Sequence, residues 1–292
     1  AEPIPYIEDF NNSAYSTNTK DPVFAVPCMY SQKVKYSTSY YPNLSTSKKV
    51  GSTGMSLELK KSKSWKPEGV NTYVALPKMS APLNELELTL KLYVENINYT
   101  LTVGVMEDPM DTTNIEEISV IRPKLLKEFV EYNISFEDYT GKGEYIVLTT
   151  NNAVTAPVLY IDDIMVNYLP PCPRPEDLVL SGLADTPVTF SWKKTKATQW
   201  RIMLANERLS EAELAGDNLP SGKIALIDTV TTNPAVINGL SENTSYYAYI
   251  QTICGNGLAG IWSNPLPFKT TCEIRTAGEL GVENFDTYGT GS

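Results

Sequence analysis

Four prolines fall within seven residues, at positions 170, 171, 173 and 175, and forbid both a helix and a central strand across that stretch. A 292-residue chain interrupted there reads as two cores, because single domains usually run to roughly 100–200 residues. On both sides the sequence consists of short runs rich in Val, Ile, Leu, Thr and Tyr, broken by Pro, Gly, Asn and Asp at intervals too short for ordinary helices. Residues 55–59, 71–76, 86–94, 99–105, 144–149 and 159–166 alternate or stay apolar at strand length. The pattern predicts an all-β chain with one antiparallel β-sandwich over 1–169, a stiff linker, and a second sandwich over 170–272. One helix-like stretch, 210–216, opens on the cap candidate Ser210 with Glu213 three residues on. It spans hardly two turns and is read as a loop insertion.

Composition narrows the chemistry. The net charge of -10 repels phosphate backbones and anionic membranes, so nucleic acid is not expected as a partner. No run approaches the roughly 18–20 apolar residues of a spanning helix, so membrane insertion is not expected either. No charged, apolar leader opens at Ala1, and the chain reads as either an intracellular protein or a mature exported fragment. Histidine is absent, which removes the commonest general base, the usual zinc ligand and every Ser-His or Cys-His pairing. No enzymatic constellation is expected.

Beyond the prolines, the pattern resembles a fibronectin type III domain over almost its whole length. Trp192 stands where that family buries its strand-B tryptophan, Leu240 followed by Tyr246 matches the tyrosine corner, and Trp262 with Ser263 resembles the entry to the last strand. Period two then puts Tyr246, Ala248, Ile250, Thr252 and Cys254 on one inward face. A strand ending at Cys254 finishes at the pole where the first strand starts, near Cys172, so the resemblance implies a Cys172–Cys254 disulfide. Two unpaired thiols are the alternative. Such oxidation favours export.

Residues 280–286 echo residues 5–11, with Glu283 matching Glu8 and Phe285 matching Phe10. The expectation is a segment of an array of alternating modules, with 273–292 starting a further repeat and Cys28 and Cys272 left without partners. Residues 1–169 resemble the MAM-like jelly rolls of bacterial surface proteins, including the adhesin domains of gingipain-type haemagglutinins. The resemblance rests, in order, on residues 6–10, 27–29, 54–59, 74–77, 103–109, 139–146 and 160–164, with Met29 where a tryptophan often stands. It implies a jelly-roll sandwich serving adhesion or recognition of carbohydrate or extracellular protein ligands at a bacterial cell surface, with neighbouring repeats of the same chain as further partners.

The same resemblance places the first and last strands of the jelly roll side by side. The acidic pairs Glu8-Asp9 and Asp162-Asp163 then become candidate ligands for a structural Ca²⁺, led by Glu8 and Asp163, with carbonyls of 51–54 completing a shell of six to eight oxygens. Solvated strand-end carboxylates are the alternative. Two such carboxyls also suit glycoside hydrolysis in principle, although nothing specifies a sugar cleft. Tyr40, Tyr41 and Trp65, among Ser, Thr, Asn and Lys, are the candidate ligand-binding surface, because flat amphipathic rings stack on sugars and anchor interfaces. The readings carried forward are a non-catalytic recognition unit, a purely structural spacer and, third, a glycoside hydrolase.

Overall fold

The computed structural model describes residues 1–15, 26–31, 42–60, 73–111, 113–150, 157–181, 187–193, 196–216 and 218–272. The protein is an all-β protein of antiparallel sheets forming two sandwiches. The first contains β1 (Tyr6–Glu8), β2 (Asn43–Ser45), β3 (Ser56–Lys60), β4 (Tyr73–Ala75), β5 (Leu86–Val94), β6 (Leu101–Met106), β7 (Glu116–Ile121), β8 (Phe129–Ser135), β9 (Tyr145–Thr150) and β10 (Val158–Tyr168). One sheet runs β2-β3-β10-β5-β8, with β1 also on β10, and the facing sheet runs β4-β9-β6-β7. The alternation in β5 decides its orientation. Leu86, Leu88, Leu90 and Leu92 are buried in the core, while Glu87 and Lys91 face outward. Val103 and Val105 of β6 and Ile146 and Leu148 of β9 meet them from the opposite sheet. Met29 is buried in the same core.

The second sandwich contains β11 (Val179–Ser181), β12 (Val188–Ser191), β13 (Gln199–Ala205), β14 (Ile224–Val230), β15 (Ala235–Ile237), β16 (Ser245–Ile253) and β17 (Leu266–Lys269). Its sheets are β11-β12-β15 and β14-β13-β16-β17. Tyr246, Ala248 and Ile250 face the core with Trp192, which lies edge-on to Trp200 at 5.1 Å between centroids. The Tyr246 hydroxyl accepts from Ser241 N at 3.1 Å, which is the corner bond itself. On the outer face Trp262 packs with Met203, Leu209 and Tyr249. The stretch read as a loop insertion holds the short helix α1 (Glu211–Ala215), closed by a capping box between Ser210 and Glu213.

Cys172 is joined to Cys254 across a Cα–Cα distance of 5.8 Å, fastening the linker to the end of β16. Cys28 and Cys272 are free and exposed. Among the described residues no helix is long and apolar enough to cross a membrane. The repeat-like segment 280–286 lies outside the described residues. Because the disulfide spans a sequence separation of 82, Cys172→Ala/Cys254→Ala is expected to cost about 2–4 kcal/mol in denaturant unfolding of the second sandwich. A loss below about 0.5 kcal/mol contradicts that role.

Candidate functional site

Two places in the fold gather charge, and the first lies at a strand junction. β5 runs along one edge of β10, so β3 and β1 share the other. β3 pairs with residues 158–161 and β1 with 164–166, leaving Asp162 and Asp163 where the two partners change over. The register shifts there between Asp162 and Met165, and Asp163 adopts φ 47°. This bulge decides which carboxylate turns in. Asp162 is 2% exposed, and its Oδ2 accepts from Val50 N at 2.8 Å while Oδ1 accepts from Asp163 N at 2.9 Å. Asp163 instead pairs with Lys91 at 2.9 Å on the half-exposed side.

Glu8, at the end of β1, is also buried. Its Oε1 accepts from Phe10 N at 2.7 Å and its Oε2 from the Tyr15 hydroxyl at 2.8 Å. Asp9 is exposed, and its Oδ1 accepts from Asn11 N at 3.0 Å. The adjoining loop passes close to Asn11, whose Oδ1 a Cβ at Gly54 would meet at 1.5 Å, and the φ of +82° at Gly54 favours glycine there. Burial raises the Asp162 carboxyl to about 6 despite its two backbone hydrogen bonds, and the charges of Asp163 and Asp9 add to the rise. Burial likewise raises Glu8, opposed by its bonds from Tyr15 and Phe10 N. Tyr15 is pushed up to about 12 by burial and by that shared bond.

The junction therefore holds two buried carboxylates that have no Lys or Arg partner among the described residues, with Asp9 close enough to be felt. Asp163, foremost with Glu8 in the sequence reading, is the one already neutralised by a lysine. No group of three or more Cys, Asp or Glu among the described residues is spaced to hold a metal ion by itself. The donor chemistry suits a hard cation, whose remaining oxygens would have to come from backbone carbonyls and water. The aromatic candidates Tyr40, Tyr41 and Trp65 lie outside the described residues. Tyr30, from the same stretch, packs edge-on against Tyr145 at 5.7 Å.

The second place is the seam between the sandwiches, which the sequence did not announce. β5 occupies one edge of β8, so the backbone of the odd-numbered residues along the other edge needs partners. Side chains of the second sandwich and the linker supply two of them. Glu176 accepts from Ser135 N at 3.0 Å, and Asn264 Nδ2 donates to Glu131 O at 2.6 Å. Between these, Arg174 donates to Asn133 Oδ1 at 2.8 Å and to Trp262 O at 2.8 Å, and lies 3.4 Å from Glu131. Asn133 is held in turn by Glu87 at 2.9 Å and Thr89 at 3.0 Å. Lys193 balances Glu176 at 3.1 Å, while burial pushes that carboxyl up. Arg208 grips Glu128 at 2.7 and 2.8 Å further along. A lone arginine between prolines reads as a solvated linker residue, so Arg174 carried no signal of its own.

No family model and no curated relative matches the chain. Among solved structures it is similar to the K1 cleaved adhesin domain of Lys-gingipain from Porphyromonas gingivalis W83, with 11% identity and a TM-score of 0.39 over 57% of this chain and 99% of that domain. It is also similar to the fn3 domain of the human collagen alpha-1(XX) chain, with 16% identity and a TM-score of 0.27 over 37% of this chain and 94% of that one. A third match is a beta-1,2-glucanase from Parabacteroides distasonis, with 12% identity and a TM-score of 0.35 over 94% of this chain. The chain spans 40% of that enzyme's length.

The junction has a pH signature. With its carboxyl raised, Asp162 contributes stability that is full below its ordinary value near 4 and is lost as pH rises through about 6. In EDTA, the melting temperature of the first sandwich is therefore expected to rise between about pH 7 and about pH 5, and Asp162→Asn to flatten the rise. A wild-type curve that is flat or falls across that window contradicts the burial of an unpaired charge.

Proposed function

We propose that the chain is a non-catalytic adhesion or recognition unit of an exported, multidomain surface protein. Residues 1–169 carry the ligand contacts, 170–272 hold them at a fixed angle, and 273–292 begin a further jelly-roll repeat. The observation that carries this reading is the seam, where Glu176 and Asn264 bond to the exposed strand edge of the first sandwich and Arg174 bonds to its Asn133 side chain. A unit that must present a binding face at a distance needs such a joint, since two domains joined by a linker move relative to each other unless an interface opposes it. The Cys172–Cys254 disulfide supports an oxidising location outside the cytoplasm. The same joint favours a second reading, a plain spacer between other domains.

Within the first sandwich, Glu8 and Asp162, with Asp9 beside them, are the residues to hold a structural Ca²⁺. A bound ion would neutralise the buried charge and tie the end of β1 to the bulge in β10. Both buried carboxylates already accept backbone N–H groups, which suits fixed structural ligands better than the proton-shuttling pair of a glycosidase. The ligands proposed are glycans or extracellular proteins, met by Tyr40, Tyr41 and Trp65.

The test is binding of the full chain to glycan and matrix-protein arrays with Ca²⁺ or EDTA present. A ligand is expected whose affinity falls by about tenfold or more in Tyr40→Ala/Tyr41→Ala or Trp65→Ala, the size of an interface hot spot. Arrays that stay blank with folded, Ca²⁺-replete protein leave the spacer reading, and oligosaccharide turnover lost in Glu8→Gln or Asp162→Asn overturns both.

A further inference from the structure

The free edges of β7 and β8 bound the open side of the first sandwich, and the second sandwich closes that side only in part. A cleft of about 330 Å³ remains between them, within the range of small-ligand sites, which favour such boundaries. Its walls are mainly apolar, with Ile121, Leu125 and Val130 from the first sandwich and Leu178, Trp192 and Leu266 from the second, and Ser119, Asn133, Ser191 and Asn264 among the polar residues between them.

The cations around this cleft divide in two. Arg174 and Lys193 are engaged in the seam by Glu131 and Glu176. Arg122 and Lys124, in the turn that follows β7, are exposed and have no carboxylate partner among the described residues. Arg122 donates only to Val120 O there, at 3.2 Å. Asp177 is the one lining carboxylate without a cation among the described residues, so the free charge at the cleft is cationic by one. The walls carry more hydrocarbon than polar surface beside these cations. They suit an acyl chain or a single apolar ring, and the two unpaired cations suit one anionic head.

We infer that the cleft between the sandwiches binds a small amphiphilic carboxylate, its hydrocarbon body between Leu125 and Trp192 and its head group at Arg122 and Lys124. The occupant touches both sandwiches, so its binding also stiffens the joint. This site is separate from the junction of β1 with β10.

Calorimetric titration of the full chain with butanoate, hexanoate, octanoate and octylamine tests it. Affinity for the acids is expected to rise about fourfold per added methylene until the cleft is full. Octanoate should weaken about tenfold in Arg122→Gln/Lys124→Gln, whose changed side chains are exposed and leave folding intact. Ser119→Trp, which fills the cleft from β7, should abolish it with an unchanged melting curve. If Ser119→Trp does not fold, the charge variant decides alone. Absence of saturable octanoate binding, equal binding of octylamine, or octanoate binding indifferent to the charge variant overturns the inference.

Discussion

The unpaired edge of β8 is the constraint on which the arrangement of this protein depends. A seven-residue strand with one bare edge exposes backbone donors and acceptors that invite pairing with another chain. Here the edge is met at two points by side chains, with Glu176 on Ser135 N and Asn264 on Glu131 O. Arg174 crosses between them and binds groups from both sandwiches. Each bond is modest alone, about 1 kcal/mol, and more where one partner is charged. Beside them, a linker stiffened by prolines and pinned by the Cys172–Cys254 disulfide joins the two sandwiches along this edge.

The same seam explains why charge sits where it does. Arg174, Glu176 and Lys193 are drawn out of solvent by the closure and survive there because each has a partner. At the junction of β1 with β10 the situation is reversed. Glu8 and Asp162 are buried without a cation among the described side chains, a costly arrangement unless protonation or a bound ion relieves it.

Much of the fold was legible because alternation is a local property. Leu86 to Leu92 of β5 mark their face at every second residue, and Tyr246, Ala248 and Ile250 do the same in β16. β8 was not legible, because Glu131 and Asn133 are polar where they face the second sandwich, and polar residues in a short run read as loop. Cys172 and Cys254 stand together because the linker and β16 end at one pole. At the acidic junction, period two put Asp162 and Asp163 on opposite faces but not in order. Asp162 is buried where Val50 N covers it, while Asp163, at the bulge and with positive φ, reaches Lys91, and both depend on where β1 and β3 meet along β10.

The central claim is that the seam makes the sandwiches a single rigid unit. It is tested most directly by residual dipolar couplings of the full chain, measured for the wild type and for Arg174→Ala, which should lose about 2 kcal/mol of contact across the seam. The account predicts one common alignment tensor for both sandwiches in the wild type and two distinct tensors in the variant. Distinct tensors in the wild type, or a common one that survives the loss of Arg174, would contradict it.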